Sequence, residues 1–247
     1  MTTLLADRYA PITSEIGFLQ CSAEAAAKAF IDWQIPIQAK REVALCVDEL
    51  QGTLDSVLPK LLPLTSVERR RMLFIPTTGN WTAYFDNGWR GTDAYSGVSY
   101  LSEVLGCRGV RVVYVPHSLD EQDGRQPGRY GSVLLELYAA TKTDFVNTER
   151  SIAVIYDGKK WVFTANGTPQ EFENIAQYSS RSIKDRFTQE MLSKYLDCIG
   201  IRAFEREFYD SASKSFLIRK KGVTAPGLKE YSLEQVRMEL GIVCSPQ

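Results

Sequence analysis

The sequence predicts an α+β fold in which a central, mostly antiparallel sheet is flanked by helices. Short β-prone segments separated by turn residues dominate residues 72–165, where we expect about five to seven strands. Segments with helical spacing of apolar residues lie before and after that region. The chain has 247 residues, of which 44% are apolar and 24% charged, so a substantial core can form.

The N-terminal part predicts a strand, a helix and a second strand. Residues 16–21 are an apolar run of strand type, and Ser22 is placed to cap the helix that follows. We expect this helix to end before Pro36, because proline lacks the amide hydrogen that a helix interior needs. Residues 43–47 predict the second strand, and the apolar spacing over residues 54–62 predicts a short helix.

The first half of the sheet region predicts an antiparallel pair, a helix and a central strand. Residues 72–76 and 80–86 are two strands joined by a loop too short for a parallel connection. Asp93 is placed to cap a helix, and Gly106 to end it in a left-handed conformation. Residues 108–115 are apolar on both faces, as expected of a strand in the middle of a sheet.

The second half of the sheet region predicts an exposed loop and three strands. The loop covers residues 118–129, which are polar and rich in glycine and proline. The strands are residues 132–139, 151–156 and 161–165. Asp157 and Gly158 indicate a hairpin between the last two strands.

The C-terminal third is more helical in pattern. Thr188 is placed to cap an amphipathic helix. Residues 201–209 and 216–219 fit either a hairpin or a helix, since their apolar spacing does not decide. We predict a main α+β domain over residues 1–165 and a helical portion over residues 166–247 that docks on the same unit.

Composition and short motifs argue against several classes of function. A formal net charge of −1 lacks the basic excess of a dedicated nucleic-acid binder, and no run approaches the ~20 apolar residues of a membrane span. The five cysteines form no C-x-x-C pair, which predicts reduced thiols in the cytoplasm. We expect Cys46, Cys107 and Cys198 to be poorly accessible, because they lie in or beside apolar segments. We find no phosphate loop or dinucleotide fingerprint and predict no cofactor and no metal.

The clearest run of basic residues is three consecutive arginines, residues 69–71, directly before an apolar segment. This pattern predicts a solvated helix end that precedes a buried strand.

One predicted strand contains a tryptophan and leads into a turn with another. Trp81 and Phe85 share one face of the strand by the period of two, and we expect both in the core. Tyr84 and Asp86 lie on the other face. Residues 86–88 are of types that accept left-handed backbone, as a tight turn requires.

Trp89 and Arg90 follow this turn, outside the alternating run. Tryptophan and arginine dominate binding hot spots when they are exposed, whereas packing of Trp89 on the following helix is the simpler alternative. We predict a non-catalytic module that binds another protein through Trp89 and Arg90, with Tyr84, Asp86 and His117 as further candidate contacts. Immunity proteins that neutralise bacterial toxins have this profile, although no motif assigns the chain to them.

An enzyme or a small-molecule binder is the alternative hypothesis. Its site would be a cleft near His117, Asp86 and Asp93, assembled from strand ends. His117 is the single histidine, and Asp120 or Asp123 is placed to orient it as a general base. The sequence alone does not decide whether the protein is catalytic.

Overall fold

A computed structural model describes residues 3–119, 127–143 and 145–242. The strands are β1 (Glu15–Leu19), β2 (Val43–Leu50), β3 (Leu64–Thr65), β4 (Arg71–Pro76), β5 (Thr82–Asp86), β6 (Gly109–Val115), β7 (Ser132–Tyr138), β8 (Thr148–Tyr156), β9 (Trp161–Gly167), β10 (Ser215–Gly222) and β11 (Glu230–Tyr231). The α-helices are α1 (Ala23–Ala39), α2 (Leu54–Val57), α3 (Tyr95–Leu105), α4 (Gln189–Cys198) and α5 (Leu233–Glu239).

Nine strands form one antiparallel sheet in the order β2-β10-β4-β5-β1-β6-β7-β8-β9. The remaining two, β3 and β11, pair with each other. The predicted α+β fold with a central antiparallel sheet is therefore confirmed, and residues 71–167 supply six of its strands, within the expected five to seven.

The sheet has a different cover on each face. Helices α1 and α3 pack on one face, where Phe30, Val98 and Leu101 join Phe74 and Tyr84 of the sheet in a buried cluster. Helices α2, α4 and α5 and irregular segments cover the other face. Trp81 and Phe85 are buried on that second face and Tyr84 on the first, which agrees with the predicted alternation along β5.

Several local predictions are confirmed. Gly106 ends α3 with a φ of 59°, in the left-handed region. Thr188 caps α4, since its hydroxyl accepts a hydrogen bond from the Met191 amide at 3.3 Å. The β8–β9 hairpin turns at Gly158, where Asp157 Oδ1 accepts two backbone amides.

Two predicted helix boundaries are wrong. Helix α1 continues through Pro36 to Ala39. Pro36 lies in the exposed last turn, where water can satisfy the carbonyl that loses its amide partner. Asp93 does not cap α3, because the Asp93 and Ala94 amides bond to the carboxylates of Asp86 and Glu15.

The arginine run is not a solvated helix end, because no helix precedes β4 directly and all three side chains have partners. Arg69 pairs with two carboxylates described below, and Arg71 donates to the Lys60 carbonyl at 3.0 Å. The Arg70 side chain is 11% exposed and donates to the Lys220 carbonyl at 3.0 Å.

Accessibility also differs from expectation at one cysteine. Cys198 is exposed, because it occupies the last position of α4 on the side away from the sheet, whereas Cys46 and Cys107 are half-buried. Within the described residues no cysteine forms a disulfide. Most of the predicted loop, with Asp120 and Asp123, lies outside the described residues.

The C-terminal third contributes more than helices. Strand β10 lies between β2 and β4, so residues 166–242 complete the same sheet that the preceding residues begin. The sequence left open whether residues 201–209 and 216–219 form a hairpin or a helix, and the structure shows neither arrangement in full. Residues 216–219 belong to β10, while residues 201–209 form neither a strand nor an α-helix and contain one short 3-10 turn.

A buried ion pair fixes the irregular segment that follows β9. The guanidinium of Arg150, on β8, donates to both carboxylate oxygens of Glu173 at 2.9 and 2.6 Å, and the side chains are 3% and 0% exposed. Arg150 also donates to the Gly167 carbonyl, and Glu173 accepts from the Tyr178 hydroxyl at 2.9 Å. Both charges are thus well satisfied inside the protein.

We predict that Glu173→Gln destabilises the protein by about 3–5 kcal/mol, because it leaves the Arg150 charge buried without a counter-charge. Urea unfolding measures this. Asp32→Asn is the control, since Lys28 and Asp32 also lie 2.6 Å apart but are 74% and 59% exposed. The control should change stability by about 0.5 kcal/mol or less, and equal losses in the two variants would contradict the assignment.

Candidate functional site

The turn after β5 is fixed by the side chain of Asn87. Its Oδ1 accepts the amides of Arg70 and Arg71 at 2.9 and 3.0 Å, and its Nδ2 donates to the Pro63 carbonyl at 2.8 Å. Asn87 is buried, so these bonds also satisfy its own polar groups. The chain therefore leaves the sheet in one defined direction.

Left-handed backbone occurs later in this turn than predicted. Residues 86–88 have ordinary φ values, and the positive φ of 116° is at Gly91. A Cβ at Gly91 would lie 2.7 Å from the Pro11 carbonyl oxygen, so only glycine fits there. The error arises because hydrogen bonds of Asp86 and Asn87 shape residues 86–88 in place of left-handed backbone.

The turn presents three stacked side chains, which we call the aromatic stack: Arg90, Trp89 and Tyr231. The Trp89 and Tyr231 rings lie 5.7 Å apart with 29° between their planes. The guanidinium carbon of Arg90 lies 4.9 Å from the centre of the Trp89 ring, within cation–π range. Trp89 and Tyr231 are half-buried and Arg90 is exposed, so the stack ends at the surface.

Thr65 of β3 positions both halves of the stack. Its carbonyl accepts the Trp89 amide at 3.0 Å, and it pairs with Glu230 in the β3–β11 ladder. Trp89 therefore packs on the C-terminal part of the chain and not on the helix that follows it. The exposed Val67, at 55%, lies two residues beyond Thr65.

A second candidate is a cavity of about 250 Å³ between α1 and α3, which we call the Asp86 cavity. Sheet residues form its floor and the two helices its walls. It is lined by Phe30, Trp33, Gln34, Glu68, Arg69, Met72, Tyr84, Asp86, Asp93, Ser96, Gly97 and Lys220.

Asp86 is the most constrained charged group of this cavity. Its carboxylate is 1% exposed and accepts the amides of Gly88 and Asp93 at 2.9 and 3.0 Å and the Tyr84 hydroxyl at 3.2 Å. Arg69 Nε lies 3.7 Å from Oδ1. Burial raises the pKa of Asp86 to about 6, against the opposing effect of the amides and Arg69.

The pKa values of two neighbouring groups are also shifted, and Arg69 is shared between two carboxylates. Burial lowers the pKa of Lys220 and, together with the Asp86 carboxylate, raises that of Tyr84. The Arg69 guanidinium reaches Asp93 at 3.3 Å as well as Asp86. The cavity therefore presents negatively and positively charged side chains to a ligand, partly shielded from solvent.

One position of the wall is open. Gly97 in α3 is buried, yet a Cβ there would meet no atom within 4 Å. Next to it, Trp33 of α1 stacks on Tyr100 of α3 with centroids 4.4 Å apart. The helices are in contact at this stack and separate at Gly97.

His117 does not line the Asp86 cavity. It follows β6, where its Nδ1 accepts the Gly131 amide at 3.1 Å. Its ring packs between Tyr156 and Trp161, at 4.7 and 5.2 Å. The structure thus brings Tyr84, Asp86 and Asp93 together and leaves His117 in a separate aromatic cluster.

A wider groove of about 740 Å³ lies at the opposite end of the sheet, near the start of α1. Its charged lining residues, Glu24 and Lys214, are exposed to solvent. The groove has no buried ionisable group comparable to Asp86, so the Asp86 cavity is the better-formed candidate.

Sequence reasoning missed Tyr231, Arg69 and Lys220. Tyr231 meets Trp89 only through the β3–β11 pairing, and Lys220 reaches the cavity only because β10 enters the sheet. For Arg69 a signal existed, since a run of basic residues beside a buried strand needs carboxylate partners if it is not solvated.

Compared with known proteins, the chain matches no family model, no curated protein and no solved structure.

Two further findings concern the residues that the structure describes. In this part of the chain, no three His, Cys, Asp or Glu side chains gather in a way that could bind a metal ion. None of its helices combines the length and hydropathy that crossing a membrane requires.

We predict that Asp86 makes stability depend on pH. The pKa of Asp86 in the folded protein, about 6, is above the ordinary value of 3.8. Protonation of Asp86 therefore stabilises the folded state fully below pH 3.8, and this contribution is lost as the pH rises through 6. The unfolding free energy of the wild type relative to Asp86→Asn should fall by about 2–3 kcal/mol from about pH 4 to about pH 7. Urea titrations at several pH values measure it.

Asp48→Asn is the control for this titration. Arg219 lowers the pKa of Asp48 below 3.8, so the corresponding difference should stay flat over the same range. A flat difference for Asp86→Asn as well would show that Asp86 is ionised throughout.

Proposed function

We propose that this chain is a non-catalytic module that binds another protein through the aromatic stack of Arg90, Trp89 and Tyr231. The observation that carries the proposal is that three side chains of hot-spot type are stacked in contact at the surface. The backbone of the turn that carries Trp89 is held before binding by the Thr65 and Asn87 hydrogen bonds, so little backbone entropy is lost on association. In this proposal, the protein works in the cytoplasm, where its cysteines stay reduced.

We infer the partner class from the sequence profile alone. Immunity proteins that neutralise bacterial toxins are patterned globular chains without catalytic signatures, and this chain has the same profile. A toxin is therefore the first partner to test, with the aromatic stack as the predicted contact.

The test compares two aromatic stacks of the same protein. Trp89→Ala/Arg90→Ala should weaken a partner, isolated by affinity capture and then purified, by about 2 kcal/mol or more, or about 30-fold in Kd. Trp33→Ala/Tyr100→Ala is the matched control, since it removes a stack of similar exposure on α1 and α3. Titration calorimetry measures both.

Arg90→Glu distinguishes a loss of binding from a loss of folding. Arg90 is exposed, so this variant should unfold at nearly the wild-type temperature and still lose affinity. The proposal fails if Arg90→Glu binds like the wild type, or if only the Trp33→Ala/Tyr100→Ala control loses the partner.

Binding of a small molecule in the Asp86 cavity is the second candidate function. The supporting observation is a buried carboxylate with a pKa near neutrality beside Arg69 and Lys220, in a space of about 250 Å³. Such a site fits a small polar molecule that carries both donors and acceptors.

Gly97→Leu tests the second candidate, because the new side chain would fill the cavity from open space in the α3 wall. A compound that raises the Tm of the wild type in a thermal-shift screen should leave the Tm of Gly97→Leu unchanged. Val104→Leu, at an exposed site of the same helix, should respond like the wild type. Equal shifts in all three proteins would place the compound elsewhere.

A further inference from the structure

Strand β2 is an edge of the large sheet, with β10 on one side and, among the residues that the structure describes, no strand on the other. Its eight residues pair with β10 in a continuous register without a bulge. Edge strands of natural proteins are usually protected from pairing by lysine, proline, bulges or a covering segment. The first five residues of β2, Val43 to Val47, carry no charge and no proline.

Half of the β2 backbone points away from the sheet. The Lys220 amide donates to the Arg70 carbonyl. The amides and carbonyls of even-numbered residues of β10 therefore point toward β4, and those of odd-numbered residues point toward β2. Because Arg219 pairs with Cys46, the even-numbered residues of β2 bond to β10. Val43, Leu45, Val47 and Glu49 therefore direct their amides and carbonyls outward, and the described residues show no partner for them.

Apolar side chains flank this open edge. Val47 is 44% exposed and lies on the face that α1 covers, since its pair Ile218 belongs to the cluster under α1. Ile35 of α1 is 51% exposed. It lies about 200° around the helix from Trp33, which contacts α3, so Ile35 is on the β2 side of α1.

The sequence of β2 is complementary to itself in one antiparallel register. Pairing all four outward residues with a second copy places Val43 opposite Glu49 and Leu45 opposite Val47. This gives four pairs that each exchange two hydrogen bonds. No like charges face each other, because Asp48 and Glu49 lie opposite Ala44 and Val43 of the second copy.

The alternative register, centred on Leu45, is poorer. It would place Glu42 opposite Asp48 of the second copy, a like-charge pair, and would extend beyond Val43 to residues outside the strand. Glu42 has a φ of 56° and cannot continue the ladder. A register centred on Val47 would likewise pair Val43 with Gln51, outside the strand, so the register centred on Cys46 is the one that pairs all four outward residues within β2.

We propose that two copies of this chain associate through β2, forming a continuous sheet with Cys46 facing its own counterpart on the twofold axis. Both α1 helices then lie on the same face of the joined sheet, with Ile35 beside the junction. Because the pairing is isologous, it closes at a dimer in which the β2 edge of each copy is paired. The aromatic stack does not take part, so the dimer is independent of the proposed function.

Sedimentation velocity of the full chain tests the proposal. The wild type should form a concentration-dependent dimer, and Val47→Lys should raise its dissociation constant by about tenfold or more. Ile155→Lys is the matched control, because Ile155 is also a β-branched strand residue, 37% exposed, but lies on β8 away from this edge. It should dimerise like the wild type.

Oxidative cross-linking of the wild type tests the register directly. A non-hydrogen-bonded antiparallel pair brings its Cα atoms to about 4.5 Å, within disulfide range. Copper-catalysed oxidation by dioxygen should remove two protons and two electrons from the two Cys46 thiols. Peptide mapping should then find a Cys46–Cys46 link that Cys46→Ser abolishes.

Three results would overturn the proposal. A monomer at every concentration excludes the dimer. A dimer that Val47→Lys leaves intact uses another surface. Cross-links that map only to the exposed Cys198 would show collision of copies and not pairing of β2.

Discussion

Strand β4 has hydrogen-bond partners on both sides only because β10 returns from the C-terminal third of the chain to lie between β2 and β4. Without β10, the backbone groups of β2 and of one side of β4 would have no strand to bond, and Leu73 and Phe74 would lose a packed neighbour on the sheet. The pairing also places Lys220 in the Asp86 cavity and leaves β2 at the edge. Such long-range pairing requires closing a large loop before it stabilises anything, which is typical of slowly folding β-rich topologies.

Local chemistry made much of the fold predictable. The alternation along β5, the glycine that ends α3, the Thr188 cap and the hairpin at Gly158 all depend on residues within a few positions of each other. Predictions failed where a partner from elsewhere replaced the local one. The amides that lead into α3, those of Asp93 and Ala94, bond to carboxylates of other segments, and carbonyls distant in sequence bind Arg70 and Arg71.

The same difference between local and distant partners applies to the candidate sites. Trp89 and Arg90 could be identified from residue type and from their position beyond the strand, because both properties are local. Tyr231, which completes the stack, is far along the chain and depends on a two-residue pairing between β3 and β11 that no period of apolar residues reveals. Asp86 could be named from its place at a strand end, whereas its burial, and hence its pKa, follows from the packing of α1 and α3.

The Arg150–Glu173 pair has a consequence for how the protein responds to ionic strength. Dissolved ions screen charges that they can surround, over a Debye length of about 8 Å at physiological salt. Side chains that are 3% and 0% exposed exclude those ions, so added salt should leave the anchor of the irregular segment after β9 unaffected. The exposed surface, including Arg90, has no such protection, so salt can weaken an electrostatic contact of the aromatic stack while the interior that supports the fold stays unchanged.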